Sequence, residues 1–303
     1  MIKWAVVIGL QSIFFIEADM EIIKASVMGF CFGVKRAVEI AENVLQENID
    51  SNNKVYSLGP LIHNPNVLKS LEQKGLTVLD SENIDCLCPG DIVIVRAHGT
   101  TPKVMETIMS KGAIIKDATC PRVKVSQRRS AEYTEKGFFV VIAGDKNHGE
   151  VTGIEGFVEN AGGKAVVIDS VKEAVELELP EKSVLLSQTT FNPFLFKEIS
   201  DVLIKKNPKI EVLKTICSAT MERQNALLEL SGKVQGVIVI GGKQSANTKR
   251  LLEKAKSFCP NCVCIEDQRE LPKEFFSLDK IGITAGASTP QNVIDAVCNL
   301  LLK

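Results

Sequence analysis

The sequence predicts an α/β fold: three similar units with mostly parallel sheets, arranged as a three-lobed molecule around a central pocket. Three observations predict it. Short β-branched runs alternate with helix-patterned stretches along the chain, the signature of parallel strands joined by crossover helices. One device, a β-branched strand running into a turn that carries a cysteine and then into a helix, occurs at Cys31, Cys120 and Cys217. The stretches downstream of the three cysteines also keep step. Gly144 and Gly241 lie 24 residues beyond Cys120 and Cys217, with Gly59 at 28 beyond Cys31. Pro102, Pro193 and Pro290 lie 71, 73 and 73 residues beyond theirs. Fixed-period self-similarity of this kind marks a repeated structural unit.

Trp4–Leu10 and Ile13–Ile16 are apolar but broken by Gln11-Ser12, short of the roughly 20 residues that span a bilayer. Only Lys3 precedes them and no clean small-x-small site comes after, so they make a poor signal peptide. Residues 1–19 are therefore expected to be an extension outside the fold. The first unit, residues 20–116, carries Cys31. It has a strand at Ile22–Ala25, a helix over Val34–Leu45, and strands at Lys54–Gly59, Leu76–Asp80 and within Asp91–Pro102. The segment 20–28 has no helix of its own before it, so by the repeat it should pair with the third unit. The second unit, residues 117–213, carries Cys120, with strands at Phe138–Gly144, Ala165–Asp169 and within Ser183–Pro193. The third, residues 214–303, carries Cys217, a helix over Met221–Leu230, and strands at Gly236–Gly242, Val263–Asp267 and within Lys280–Pro290. Right-handed crossovers place the loops after the strands on one edge of each sheet, where open α/β sheets bind ligands.

Composition narrows the function. Apolar content of 45% and charged content of 24% suit ordinary globular cores. The net charge of −1, with no block of like charge, argues against a nucleic-acid binder. No membrane partner is expected either. Nine cysteines without an export signal read as reduced thiols of a cytoplasmic protein, where such groups bind metal or do chemistry.

All three histidines fall on turns that the scheme points inward: His63 and His98 in the first unit, His148 in the second. The equivalent turns of the third unit carry Ser245, Asn247 and Ser288, and the second unit's last turn carries Thr189. Ser and Asn at helix starts read as plain N-caps or as ligands of a phosphate or diphosphate at the helix N-termini. Three histidines on matching turns favour the anion. Glu150, two residues after His148, is either a helix-start carboxylate held by the dipole or, in a closed pocket, a proton donor of raised pKa.

Three thiolates are one short of a closed structural zinc site. On a 4Fe–4S cluster they leave one iron without a protein ligand, and that iron can act as a Lewis acid. Cys259, Cys262 and Cys264, with Cys86 and Cys88, offer a rival zinc or cluster site, but the two groups belong to different units. Cys298 reads as a core residue of the last helix.

Residues 29–37 (GFCFGVKRA), 117–121 (DATCP) and 216–220 (ICSAT) resemble the three cluster motifs of the LytB family, the 4-hydroxy-3-methylbut-2-enyl diphosphate reductases. The resemblance runs from about residue 20 to the end. It implies the three-lobed α/β fold around a central iron–sulfur site. One 4Fe–4S cluster would sit on Cys31, Cys120 and Cys217 with one iron open. It further implies a diphosphate substrate contacted by His63, His98, His148, Ser245, Asn247 and Ser288. Thr189 would be the orienting hydroxyl, Glu150 the proton donor, with His148 beside it. Reduced ferredoxin or flavodoxin would supply electrons for the last step of the non-mevalonate isoprenoid pathway. Ala246 departs from the family, which often has a second Ser there. A cluster-dependent hydro-lyase, a cluster-based sensor and a zinc-stabilised binding module are the competing readings.

Overall fold

The computed structural model describes residues 3–7, 13–17 and 20–302. In chain order, β1 (Lys3–Val7), β2 (Ile13–Glu17) and β3 (Glu21–Lys24) precede α1 (Phe32–Glu47). Next come β4 (Val55–Leu58), α2 (Pro65–Gln73), β5 (Leu76–Leu79), β6 (Ile92–Val95), α3 (Pro102–Ser110) and β7 (Ile114–Asp117). They are followed by α4 (Pro121–Glu135), β8 (Phe139–Ala143), α5 (Gly149–Asn160), β9 (Ala165–Ile168), α6 (Val171–Glu176), β10 (Ser183–Ser187), α7 (Pro193–Lys206) and β11 (Glu211–Val212). The chain closes with α8 (Ser218–Leu228), β12 (Gly236–Ile240), α9 (Ala246–Lys256), β13 (Cys262–Ile265), β14 (Lys280–Ala285) and α10 (Gln291–Leu301).

Three four-stranded, all-parallel sheets result, and their strand order is the same: β5-β4-β6-β7, β9-β8-β10-β11 and β13-β12-β14-β3. In each, the strand leading to a cysteine takes the same edge. The strand before Cys31 reaches that place from the far end of the sequence: β3 runs beside β14, Ile281 opposite Ile22 and Ile283 opposite Lys24. β1 and β2 pair antiparallel with each other and join none of the three sheets. The remainder of the 1–19 extension, residues 1–2, 8–12 and 18–19, lies outside the described residues.

The chain divides into two compact units. One holds the chain up to Cys31, His63–Asn66 and Glu222 onward, and so contains the third sheet; the other holds Phe32–Ile62 and Val67–Met221, and so contains the first two. The three expected domains, 20–116, 117–213 and 214–303, follow the sequence repeat rather than this division.

Central strands read as continuous apolar runs because helices cover both faces. In β12, Val237 and Val239 face Leu227, Leu230, Leu251 and Ala255, while Ile238 and Ile240 face Ile294, Val297 and Cys298. In β8, Val140 and Ile142 pack against Ile154 and Val158, and Val141 against Ile199 and Leu203. The period-2 alternation of a strand sends neighbours to opposite faces. Helix starts follow ordinary capping chemistry: Thr101 caps α3, Asn192 caps α7 and Ser245 caps α9, with Pro102 and Pro193 in the first turn. α1 and α8 begin directly after their cysteines, earlier than apolar periodicity indicates. Their first turns carry Gly33 or Ser218-Ala219, which add little apolar signal.

Candidate active site and cysteine ligands

Each cysteine is placed by the same local device. The Cys31 N–H donates to the Ala287 carbonyl (3.0 Å), that of Cys120 to Ala97 (2.9 Å) and that of Cys217 to Thr189 (2.8 Å). Ala287, Ala97 and Thr189 each lie two residues beyond the end of the strand that neighbours the cysteine's own. The parallel ladder thus continues past the strand ends and fixes each cysteine at a sheet's carboxyl edge, at the start of a helix. Gly29 reaches this turn with φ of 76°, a backbone that side-chain-bearing residues avoid. Its carbonyl accepts from the buried Arg223 guanidinium at 2.7 Å.

All three thiols are free and half-buried. Helix N-termini favour thiolate, and thiolates are soft ligands. Gly33 of α1 clears the space beside Cys120: an added Cβ would stand 2.5 Å from the Cys120 Sγ and 3.0 Å from its Cβ. Free thiols, helix-start positions and a side-chain-free wall are what an iron–sulfur group on cysteines needs, so the residues fit one. Gly33→Ala is expected to push Cys120 aside and destabilise the fold by about 1–3 kcal/mol, the usual cost of overpacking. Denaturant unfolding of the metal-free protein measures it.

The carboxyl group belongs to the helix that follows β8 of the second sheet. Glu150 lies in the first turn of α5 and is 1% exposed. His148 caps that helix, its Nδ1 accepting from the Glu150 N–H at 3.2 Å, and its ring meets His98 edge-on at 5.2 Å. Thr189 clasps the carboxyl group twice: its N–H donates to Oε1 at 2.6 Å and its hydroxyl to Oε2 at 2.8 Å. Burial pushes the Glu150 pKa up to about 7, against the lowering pull of the two Thr189 hydrogen bonds, and the nearby Asp145 adds to the rise. The same Thr189 accepts the Cys217 N–H through its carbonyl. One residue therefore joins the buried acid to a cysteine.

The other unit carries the hydroxyl and amide groups. Ser245 caps α9, accepting from the Thr248 N–H at 3.4 Å. Asn247 lies in the first turn, 4% exposed, and its Nδ2 has no hydrogen-bond partner among the described residues. The Thr248 Oγ1 is likewise buried and unpartnered. An unsatisfied buried donor costs about 1–3 kcal/mol, and beside a helix N-terminus it suits an anion. The Ser288 hydroxyl donates to the His63 carbonyl at 3.0 Å, so Ser288 also holds the His63 turn. Ala246 opens α9 and leaves backbone N–H groups to serve there.

Arg96 is a residue that sequence patterns do not single out. It comes directly after β6, and its guanidinium fills the space beside Gly59 and Gly149: a Cβ on Gly149 would meet Nη2 at 2.2 Å. Burial lowers its pKa from the usual arginine value. Its signal is available only in combination, as an arginine two residues before a turn histidine. In the rival cysteine group, Cys264 donates to the Gly241 carbonyl at 3.8 Å and Cys262 to the Cys259 carbonyl at 2.9 Å, while Cys86 and Cys88 belong to the other compact unit. Cys298 is a buried core residue, as expected.

The family model described as LytB protein matches residues 22–302. A 4-hydroxy-3-methylbut-2-enyl diphosphate reductase of Treponema denticola is 41% identical, covering 94% of this chain and 100% of the relative. One from Caldanaerobacter subterraneus subsp. tengcongensis is 45% identical, over 92% and 95%. Among solved structures, (E)-4-hydroxy-3-methyl-but-2-enyl diphosphate reductase, described as the terminal enzyme of the non-mevalonate pathway, matches with a TM-score of 0.70 at 40% identity, over 92% of this chain and 98% of the other. The Plasmodium falciparum reductase matches with 0.87 at 28%, over 94% and 89%. A family match over nearly the whole chain, relatives covered over 95–100% of their own length, and the three motif cysteines at equivalent strand ends lead to one conclusion: this chain belongs to the LytB family.

Proposed function

We propose that this chain is the reductase that converts 4-hydroxy-3-methylbut-2-enyl diphosphate to isopentenyl and dimethylallyl diphosphate, the last step of the non-mevalonate isoprenoid pathway. The substrate hydroxyl leaves as water, consuming two electrons and two protons. The observation that carries this reading is the junction at Thr189, which grips the buried Glu150 carboxyl by its N–H and hydroxyl and the Cys217 backbone by its carbonyl.

Cys31, Cys120 and Cys217 would hold the iron–sulfur group, which we take as one 4Fe–4S cluster with three cysteine ligands and one open iron. When bound, it supplies one-electron transfer and a Lewis acid toward oxygen. Glu150 keeps its proton near neutral pH, because burial disfavours its charge, and gives it to the departing hydroxyl. Thr189 orients that transfer by fixing both carboxyl oxygens. His63, His98, His148, Ser245, Asn247 and Ser288 bind the diphosphate. Reduced ferredoxin or flavodoxin delivers the electrons. Nine free thiols suit a cytoplasmic setting, and no described helix is long and apolar enough to cross a membrane.

Anaerobic turnover with and without a chemical reductant tests the reading. Loss of substrate and appearance of both products only with reductant supports it; dehydration without reductant indicates a hydro-lyase. Asn247→Ala is expected to weaken diphosphate binding by about 1–3 kcal/mol, the usual cost of losing a hydrogen bond to a charged group. Iron content should not change. Ser288→Ala should cost a similar amount, part of it through release of the His63 turn. Calorimetric titration with the diphosphate and its dephosphorylated alcohol reads both: an equal loss for the two ligands would place these residues outside the anion site.

A further inference from the structure

One cysteine motif remains unused: Cys259-Pro260-Asn261-Cys262, between the end of α9 and the start of β13. We propose that Cys259 and Cys262 are a dithiol that closes to an intrachain disulfide by exchange with a low-molecular-weight disulfide.

The backbone holds the two residues ready. The Cys259 N–H still donates to Ala255 at 2.9 Å, ending the helix, while Cys262 already sits in the ladder opposite Val237. Between them, Val237 N–H donates to the Asn261 carbonyl at 2.8 Å and Asn261 Nδ2 to the Gln235 carbonyl at 3.1 Å. The turn is thus pinned on both sides and in the middle. The Cys262 thiol folds back over it and donates to the Cys259 carbonyl at 2.9 Å. The Cys259 thiol points to the Asn261 and Gln235 carbonyls, at 3.6 and 3.7 Å. The bond from Cys262 brings its sulfur back onto the residue that carries the other thiol.

Other uses of such a pair fit less well. A structural zinc ion needs four donors, and Cys264 turns instead to Gly241. A catalytic dithiol needs a readily formed thiolate, whereas burial and the neighbouring Cys259 push the Cys262 thiol up to about 12. A slowly formed, protected disulfide remains. Cys262 is half-buried and Cys259 only 4% exposed, packed among Leu251 and Ala255, and this sets the order of events. The Cys262 thiolate attacks the external disulfide, forming a mixed disulfide and releasing one thiol. Cys259 then loses its proton, attacks the Cys262 sulfur and expels the second thiol. Two electrons pass from the protein to the external disulfide, which leaves as two thiols.

The test uses the full chain with its metal content intact, held anaerobically with oxidised glutathione, alkylated, and mapped by peptide mass analysis. The expected result is a Cys259–Cys262 bridge, absent before treatment and lost on adding dithiothreitol. Cys259→Ser should instead retain glutathione on Cys262. Two results would overturn the proposal: both cysteines recovered as alkylated thiols when the exposed Cys86 and Cys88 have reacted, or glutathione persisting on Cys262 of the unaltered chain.

Discussion

Cys120→Ser is expected to abolish turnover and to strip most of the iron and the cluster's visible absorbance from the anaerobically purified protein. A serine alkoxide is a harder and far less available ligand than thiolate. The substitution keeps size, and the N–H bond to Ala97 and the helix start at Pro121 do not use the side chain. The fold should therefore survive, which circular dichroism checks. Cys262→Ser should leave iron content and absorbance as they were. If iron were retained in Cys120→Ser and lost in Cys262→Ser, the ligand assignment would be reversed.

Glu150→Gln is expected to lower kcat by about 10²–10⁴-fold, the range typical of a general acid, with little change in KM. The amide oxygen can still accept from the Thr189 N–H, as Oε1 does now, so the local geometry should hold. The pH dependence separates this role from a merely structural one. With the Glu150 pKa at about 7, activity of the unaltered chain should decline as pH rises through that value; the residual activity of the variant should not. Stability depends on the same group. Its folded pKa lies above the ordinary 4.5, so the fold favours the protonated form. That contribution is fully present below about 4.5 and is lost as pH rises through about 7, a few kcal/mol at most. Denaturant midpoints of the unaltered chain should fall across this window, and those of Glu150→Gln should be flatter. Turnover within threefold of the unaltered chain would move the proton donor elsewhere, with His148 the next to test.

Much of the fold is legible in the sequence because local rules set it. Parallel strands covered on both faces must be apolar throughout, and β6, β8 and β12 are. Caps such as Asn192-Pro193 and Ser245 mark helix starts by chemistry confined to four residues. Sequence patterns run strand ends one or two residues too long, as at Gly144 and Gly242, because the glycine that opens each turn still donates to the neighbouring strand, Gly144 to Ile168 and Gly241 to Ile265. They start α1 late because Gly33 is there to clear space for Cys120, 87 positions on, and the sequence does not display that neighbour.

The sequence by itself determined which residues are candidates and in what order they recur. The threefold recurrence of a strand, a cysteine and a helix, and the placing of each histidine on a matching turn, are statements about order along the chain. Only the tertiary structure decided what those residues touch. The grip of Thr189 on Glu150 joins positions 39 apart, and the bond from Ser288 to the His63 turn spans 225. The burial that lifts the Glu150 pKa, the Asn247 Nδ2 without a partner among the described residues and the guanidinium of Arg96 between two glycines have the same origin. Desolvation and hydrogen bonding depend on atoms within a few ångströms in space, and parallel sheets bring those atoms from distant parts of the chain.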